Sequence, residues 1–428
     1  MRLWSSIASV AIATALAAIS SCASTATPTV TSLAPLVPAG QLPAITRATS
    51  TTLAPSSNPD SPLIAALPTD SGTDSCGYAD QLAGGEITFV VGERLYGASV
   101  DGRLIRCLTA LRPEQRGPVR WAPLGNRVLL NAATLIDGFG PRATGFEATN
   151  TRVQWEFPAG DGLIGPTTSN RTLVRRSAGD TRERTEVTFL ASTLAAVSHP
   201  GGRVLLGAGQ SADGTNGVFA AGAAGGQAQP LVTIADPTLV VVEIAADAGG
   251  ELLYFISDNG SQFRVHELTF SNPASNPASN PASNPASNPA SNPAVEGPSV
   301  QELSSEQAPI SQLTTGPTAR SLAWKVGLCN SVTDTRVRDD RMGAPLTVGA
   351  GTPLEGLSLS PVGWLDAARL VVAARPSGCD GPADVWIWNL FDGSATLLVK
   401  NVDFPAVRIA ADTAPPLVLS PTAQPVAL

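Results

Sequence analysis

A short unit recurs along this 428-residue chain, and it restricts the possible folds more than any single segment does. An apolar run is followed by a tight turn of small residues and a second apolar run. It reads Val119-Arg120-Trp121-Ala122-Pro123-Leu124-Gly125-Asn126-Arg127-Val128-Leu129-Leu130, and then Ala196-Val197-Ser198-His199-Pro200-Gly201-Gly202-Arg203-Val204-Leu205-Leu206. A third copy runs from Glu243-Ile244 through the turn Asp247-Ala248-Gly249-Gly250 to Leu252-Leu253-Tyr254-Phe255, and weaker copies begin near Trp155, Trp324 and Leu359. First strands counted near positions 121, 155, 198, 245, 323, 360 and 409 are separated by 34, 43, 47, 78, 37 and 49 residues. A unit of this kind cannot bury its apolar face alone, so successive copies must pack on one another.

The rest of the region beyond Gly84 agrees with an all-β chain. β-branched and apolar runs at Glu86 to Val91, Arg127 to Leu130, Arg203 to Leu206, Glu251 to Ile256, Arg369 to Val372 and Val385 to Asn389 are separated by Gly, Pro, Asp and Asn. No helix-length apolar period of 3.6 residues is present. The repeated unit resembles the strand-Trp-Ser-Pro-Asp-Gly-Arg-strand unit of TolB-type, WD-like β-propeller blades, with Leu124, Gly201 and Val362 standing at the family's Asp. The second half of such a blade is matched by Leu95 to Thr109, with its Asp101-Gly102 turn, and again by Trp386 to Gly393. The resemblance implies a β-propeller of about seven four-stranded blades, with six as the alternative. Phe404 to Ala410 supplies a first strand without the rest, and Glu86 to Thr109 supplies the rest without a first strand. Together they are expected to close the ring and leave no open sheet edge.

A second repeat, Ser271-Asn272-Pro273-Ala274, occurs six times up to Ala294. Proline at every fourth position forbids helix and central strand, so an extended or turn-rich loop within one blade is expected, placed between Phe270 and a strand near Ile310 to Thr314. Two uses are open: a projecting recognition arm, or an expansion the fold tolerates.

The N-terminus reads as an export signal. Met1-Arg2 precedes an apolar stretch from Ile7 to Ile19, too short to cross a bilayer comfortably. It ends in Ile19-Ser20-Ser21-Cys22, which resembles the lipobox of bacterial lipoproteins and implies lipid on Cys22 and attachment to the outer face of the cell membrane. Residues 1–21 are then the signal peptide and 22–75 a Ser/Thr/Pro-rich disordered tether. Residues 76–410 form the propeller, with the insert at 271–294, and residues 411–428 a Pro-rich tail.

Setting Cys22 aside leaves Cys76, Cys107, Cys329 and Cys379, an even number suited to an oxidising compartment. Three pairings are possible. Nearness in sequence favours Cys76 with Cys107 and Cys329 with Cys379.

Composition removes several function classes. A net charge of -8 gives no basic footprint for a phosphate backbone, so nucleic acid is not an expected partner. The two histidines, His199 and His266, cannot build a multi-histidine metal centre, and no Gly-x-Ser-x-Gly elbow or Gly-x-x-x-x-Gly-Lys loop is present. His199 is expected on a solvent-facing turn and His266 half-buried in a strand. Ser211 to Gly217 and Ser257 to Gly260 carry oxygen ligands in principle, but Asp and Asn beside Gly are ordinary hairpin chemistry. Trp121 with Trp155, and Trp386 with Trp388, are expected to pack blades. No cofactor, metal or catalytic residue is assigned, and the oligomeric state stays open.

The expected function is a lipid-anchored, extracytoplasmic, non-catalytic scaffold whose propeller binds another envelope protein. The alternative is a glycan-active enzyme or a binder of small solutes acting in the propeller channel; the enzyme requires carboxylates converging there.

Overall fold

The computed structural model describes residues 61–67, 76, 87–123, 127–137, 140–157, 160–180, 184–270, 298–317, 320–408, 417 and 424–428. The signal peptide, Cys22, the tether up to residue 60 and the repeat at 271–294 lie outside the described residues. What is described is β structure, broken by one 3-10 turn at Pro113–Gln115. No helix among the described residues is long and apolar enough to cross a membrane.

The strands form six sheets. Sheet A has seven strands: Ser358–Trp364, Arg369–Arg375, Ala383–Asn389, Ala395–Val407, Ile87–Val91, Arg94–Ala98 and Ile105–Ala110. Sheet B runs from Val119–Trp121 to Gly140–Ala143, and sheet C from Gln154–Trp155 to Arg184–Glu186. Sheet D contains Ser192–Ser198, Val204–Gln210, Asn216–Gly222 and Gly225–Ile234, with Val426–Ala427 as a fifth strand. Sheet E contains Val240–Ala246, Leu252–Asp258, Phe263–Thr269 and Ser299–Glu306, and sheet F runs from Ile310–Thr315 to Leu346–Thr347.

Burial explains which sequence runs sit where within a sheet. In sheet E the second strand, Leu-Leu-Tyr-Phe-Ile-Ser, is buried along its length, because both of its faces are covered. The outermost strand, Ser299–Glu306, has no fully buried residue and carries the polar sequence that position tolerates. The apolar clusters lie between neighbouring sheets: Leu129 and Leu135 of sheet B pack with Trp155 and Leu163 of sheet C, and Leu252 and Tyr254 of sheet E with Leu322 and Trp324 of sheet F. The core is therefore divided among the seams, as expected of a β-propeller arrangement.

The blade count differs from the expected seven, or six. Counted as separate four- or five-stranded sheets among the described residues, there are five blades, and the strands expected to form the first and last blades are one continuous sheet. The cause is the thirteen-residue strand Ala395–Val407. Its first part pairs with the preceding strand (Val385 with Val399, Trp388 with Ala395), and its last part pairs with the first described strand (Ile87 with Val407, Thr88 with Ala406). The two ends of the repeat region are thus joined as the incomplete terminal units imply.

Three placements differ from the sequence reading. Trp324 lies on a second strand, and the first strand of its sheet is Ile310–Thr315. The strand that follows the insert is Ser299–Glu306, which pairs with Phe263–Thr269 (Thr269 opposite Ser299), so the repeat lies in sequence between two paired neighbouring strands of one sheet. Residues 61–67 fall in the expected tether, yet Leu63 and Ile64 donate their backbone N–H groups to the carbonyls of Leu397 and Leu398 at 3.0 and 2.8 Å, and Ile64 is buried. The apolar Pro62-Leu63-Ile64 run inside a polar segment carries that signal.

Candidate functional site

The first strands of sheets C, D, E, F and A contact one another in turn, and Ala395–Val407 of sheet A contacts both Ser358–Trp364 and the first strand of sheet B, which places these strands around the centre of the ring. Each seam carries at least one polar bond. Trp121 donates its indole N–H to Thr88 Oγ1 at 3.1 Å, Trp155 to the carbonyl of Arg120 at 3.2 Å, and Trp364 to the carbonyl of Thr314 at 3.1 Å. The N–H of Phe157 donates to Ser198 Oγ at 3.2 Å, joining sheet C to sheet D. The remaining seams are joined by His199 with Gly250 and by Glu243 with Gln312 and Leu313.

On these inner strands the charged groups are few. Arg120, in the middle of Val119–Trp121, donates to the carbonyls of Val153 and Thr151. Glu243, on Val240–Ala246 across the ring, accepts the N–H groups of Gln312 at 3.0 Å and Leu313 at 2.7 Å. Burial pushes the Glu243 carboxyl above the usual carboxylate range. The two amides and the charges of Arg120 and Arg152 act in the opposite sense. Burial likewise holds the Arg120 guanidinium below its usual value, with Glu243 opposing. Glu243 thus lies in the field of two arginines.

Asp247, next to the inner strand Val240–Ala246, accepts the N–H groups of Gly249 and Leu252, and two further carboxylates near these strands are paired with arginines. Glu156 meets Arg175 at 2.6 Å and Asp403 meets Arg116 at 2.8 Å. These charges can orient a polar ligand or hold the seams; the paired geometry serves proton transfer poorly, because a general acid or base needs a free lone pair or proton directed at a substrate. No group of three or more His, Cys, Asp or Glu suited to a metal ion occurs among the described residues.

The residues singled out from sequence are dispersed. Cys76 is bonded to Cys107 and Cys329 to Cys379. The second bridge joins hairpin turns of sheets F and A, with the Lys325 ammonium against it and lowered in pKa by burial and by Arg375. His199, expected to face solvent, is 0% exposed: its ring fills the seam between sheets D and E. His266 is buried rather than half-buried, stacked on Phe255 with centroids 4.6 Å apart and bonded through Nε2 to Ser257 Oγ at 2.8 Å. Asp213 and Asp258 accept backbone N–H groups from Thr215 and Gly260 within their own turns. Trp121, Trp155, Trp386 and Trp388 are all buried in the packed layers.

Arg120 and Glu243 were not singled out in the sequence. A signal existed for Arg120. The equivalent turn bonds Ala122 to Arg127, His199 to Val204 and Asp247 to Leu252 align the copies and place Val197 and Ala245 at the position of Arg120. A charge where other copies are apolar marks the departure.

The sequence matches no known family model and no curated protein. Among solved structures it is similar to TolB from Acinetobacter baumannii, at 15% identity and a TM-score of 0.38, covering 75% of this chain and 66% of that one. It is also similar to a putative TolB from Agrobacterium tumefaciens, at 11% identity and a TM-score of 0.39, covering 61% of this chain and 86% of that one. A puromycin-hydrolysing peptidase of Mycobacterium tuberculosis aligns at 14% identity and a TM-score of 0.44, covering 76% of this chain and 55% of that one. The chain therefore spans less than two thirds of the length of the first and third. TolB-type β-propeller proteins are among its structural neighbours, and the likeness is one of fold.

Proposed function

We propose that the chain is an extracytoplasmic lipoprotein, anchored through lipid on Cys22 to the outer face of the cell membrane, whose propeller is a non-catalytic binding scaffold for another envelope protein. The observation that carries this reading is the engagement of the inner-strand charges. Arg120 is held by two carbonyls, Glu243 by two amides, Glu156 by Arg175 and Asp403 by Arg116. Groups used in this way stiffen a disc. Its loops are then fixed platforms for a partner. The lipobox Ile19-Ser20-Ser21-Cys22 supports the anchor, and two disulfides fit an oxidising compartment.

Crosslinking on intact cells, followed by pull-down and mass spectrometry, tests the reading, with Cys22→Ala as the unanchored control. One near-stoichiometric envelope protein, lost in the control, is the expected result. Absence of any partner above background, together with a glycan or small solute whose binding is abolished by Glu243→Gln, would move the function into the channel.

A further inference from the structure

The two disulfides sit in unlike surroundings. Cys107 is buried and, with Cys76 packed against it, belongs to an apolar cluster that includes Ile64, Ile87 and Phe89. The other bridge lies at the surface. Cys329 is exposed in the turn after Leu322–Val326, and Cys379 is half-buried in the turn after Arg369–Arg375. Against this bridge stands Lys325, itself only 3% exposed. Its ammonium is directed at both sulfurs, 3.7 Å from Cys329 Sγ and closer to Cys379 Sγ, and these are the acceptors it reaches among the described residues. Arg375 brings a second positive charge to the same place, and Asp380 a negative one. A disulfide sulfur is a weak, uncharged acceptor, so a buried ammonium held against it is poorly compensated. A thiolate in the same position would accept a charge-assisted hydrogen bond from it.

We infer that the Cys329–Cys379 bridge is a thiol–disulfide exchange site, at which an external thiolate attacks Cys329 Sγ and Cys379 leaves as a thiolate paired with Lys325. The inference goes beyond the scaffold reading and does not depend on it. The exposed sulfur is the one an incoming thiolate reaches. The half-buried sulfur is the better leaving group, because a neighbouring ammonium lowers a thiol's pKa and a low-pKa thiol departs faster. In the step, the bond between the two cysteine sulfurs breaks and a bond forms between the incoming sulfur and Cys329 Sγ. The electron pair of the broken bond stays on Cys379 Sγ, which takes over the negative charge of the attacker. A second thiolate attacking the incoming sulfur then frees Cys329 as a thiolate. The bridge gains two electrons, and two external thiols become one disulfide. Cys76 and Cys107 lie in apolar packing, where access is poor and a departing thiolate is disfavoured.

The test incubates the folded full chain with reduced glutathione, quenches with excess N-ethylmaleimide, and follows the cysteine peptides by mass spectrometry. The bridge between Cys76 and Cys107 is the reference within the same molecule. Cys329–Cys379 should open at least about tenfold faster than the reference, with glutathione on Cys329 and maleimide on Cys379 in the first product. In a Lys325→Met chain the opening should slow on the order of tenfold while the reference rate is unchanged. Equal rates at the two bridges, glutathione appearing first on Cys379, or an undiminished rate in the Lys325→Met chain overturns the inference. If Lys325→Met does not fold, a Cys329→Ser chain decides. The rate of Cys379 alkylation by iodoacetamide should rise with a midpoint at about pH 7.5 or below, against about 8.5 for an ordinary thiol, and a higher midpoint overturns the inference. These readouts need no envelope protein, so a negative crosslinking result leaves them standing.

Discussion

His199 donates from Nε2 to the carbonyl of Gly250 at 2.7 Å across the seam between sheets D and E, while its Nδ1 accepts the N–H of Gly201 at 3.0 Å. Only the neutral ring protonated on Nε2 satisfies both bonds. The equivalent position in the next sheet is Asp247, whose carboxylate accepts from Gly249 at 3.1 Å and Leu252 at 2.7 Å. The aspartate serves its own turn, and the histidine serves its turn and the neighbouring sheet as well. His199→Ala removes both bonds from a fully buried site and leaves the Gly250 carbonyl unpaired. A loss of about 2–4 kcal/mol is expected, read as a lower urea midpoint at unchanged slope.

Acid stability follows from His266. Burial, followed by the charge of Arg264, pushes its pKa down to about 4. The unfolded chain holds the same ring near its ordinary value of about 6.5, so between those values the unfolded state binds the extra proton. The contribution is complete above pH 6.5 and is lost as pH falls toward 4, amounting to about 3 kcal/mol. His199 shifts in the same direction, also by burial. Urea unfolding at pH 7.5 and 4.5 measures the total loss. In a His266→Phe chain that loss should be smaller by about 2–3 kcal/mol, since the effect is still incomplete at pH 4.5, and an unchanged loss would place the pH dependence elsewhere.

The two histidines show why sequence reading reached the architecture and stopped short of the seams. Alternating burial, Gly turns and regular spacing are local, and they exposed the repeated strands and the closing of the two chain ends. Whether a turn residue meets water or the next sheet depends on how sheets pack, and His199-Pro200-Gly201-Gly202 has the same local signature in either case. Trp324 misled for a related reason. It is apolar and starts a plausible unit, but an apolar run can be a first or a second strand, and only pairing with Asp334–Arg338 and Ile310–Thr315 fixes its place. The single-sheet union of the expected terminal blades was illegible because one strand, Ala395–Val407, turns from one partner to the other partway along its length.

The bridge between Cys329 and Cys379 encloses fifty residues of sequence and joins sheets F and A. Constraining a loop of that length in the unfolded chain contributes about 4 kcal/mol. Replacing both cysteines with serine should lower stability by about that amount while the β-sheet circular dichroism spectrum is retained. Thiol titration of the unreduced, denatured chain should find none of Cys76, Cys107, Cys329 and Cys379 free. Four free thiols there would remove both bridges from the account.

The Ser-Asn-Pro-Ala repeat lies in sequence between the paired residues Thr269 and Ser299, on adjacent strands of one sheet. The strands therefore fix the geometry of the connection whatever its length, and closure entropy grows only with the logarithm of that length. Replacing residues 271–297 with a short Asn-Gly turn should preserve the pairing and raise stability by about 1–2 kcal/mol, since less entropy is lost in closing the loop. A clear fall in the unfolding midpoint would show that the repeat contributes packing to the propeller. An unchanged or higher midpoint, accompanied by loss of the crosslinked envelope partner, would assign the repeat to recognition; retention of the partner would leave it as an expansion that the fold accommodates.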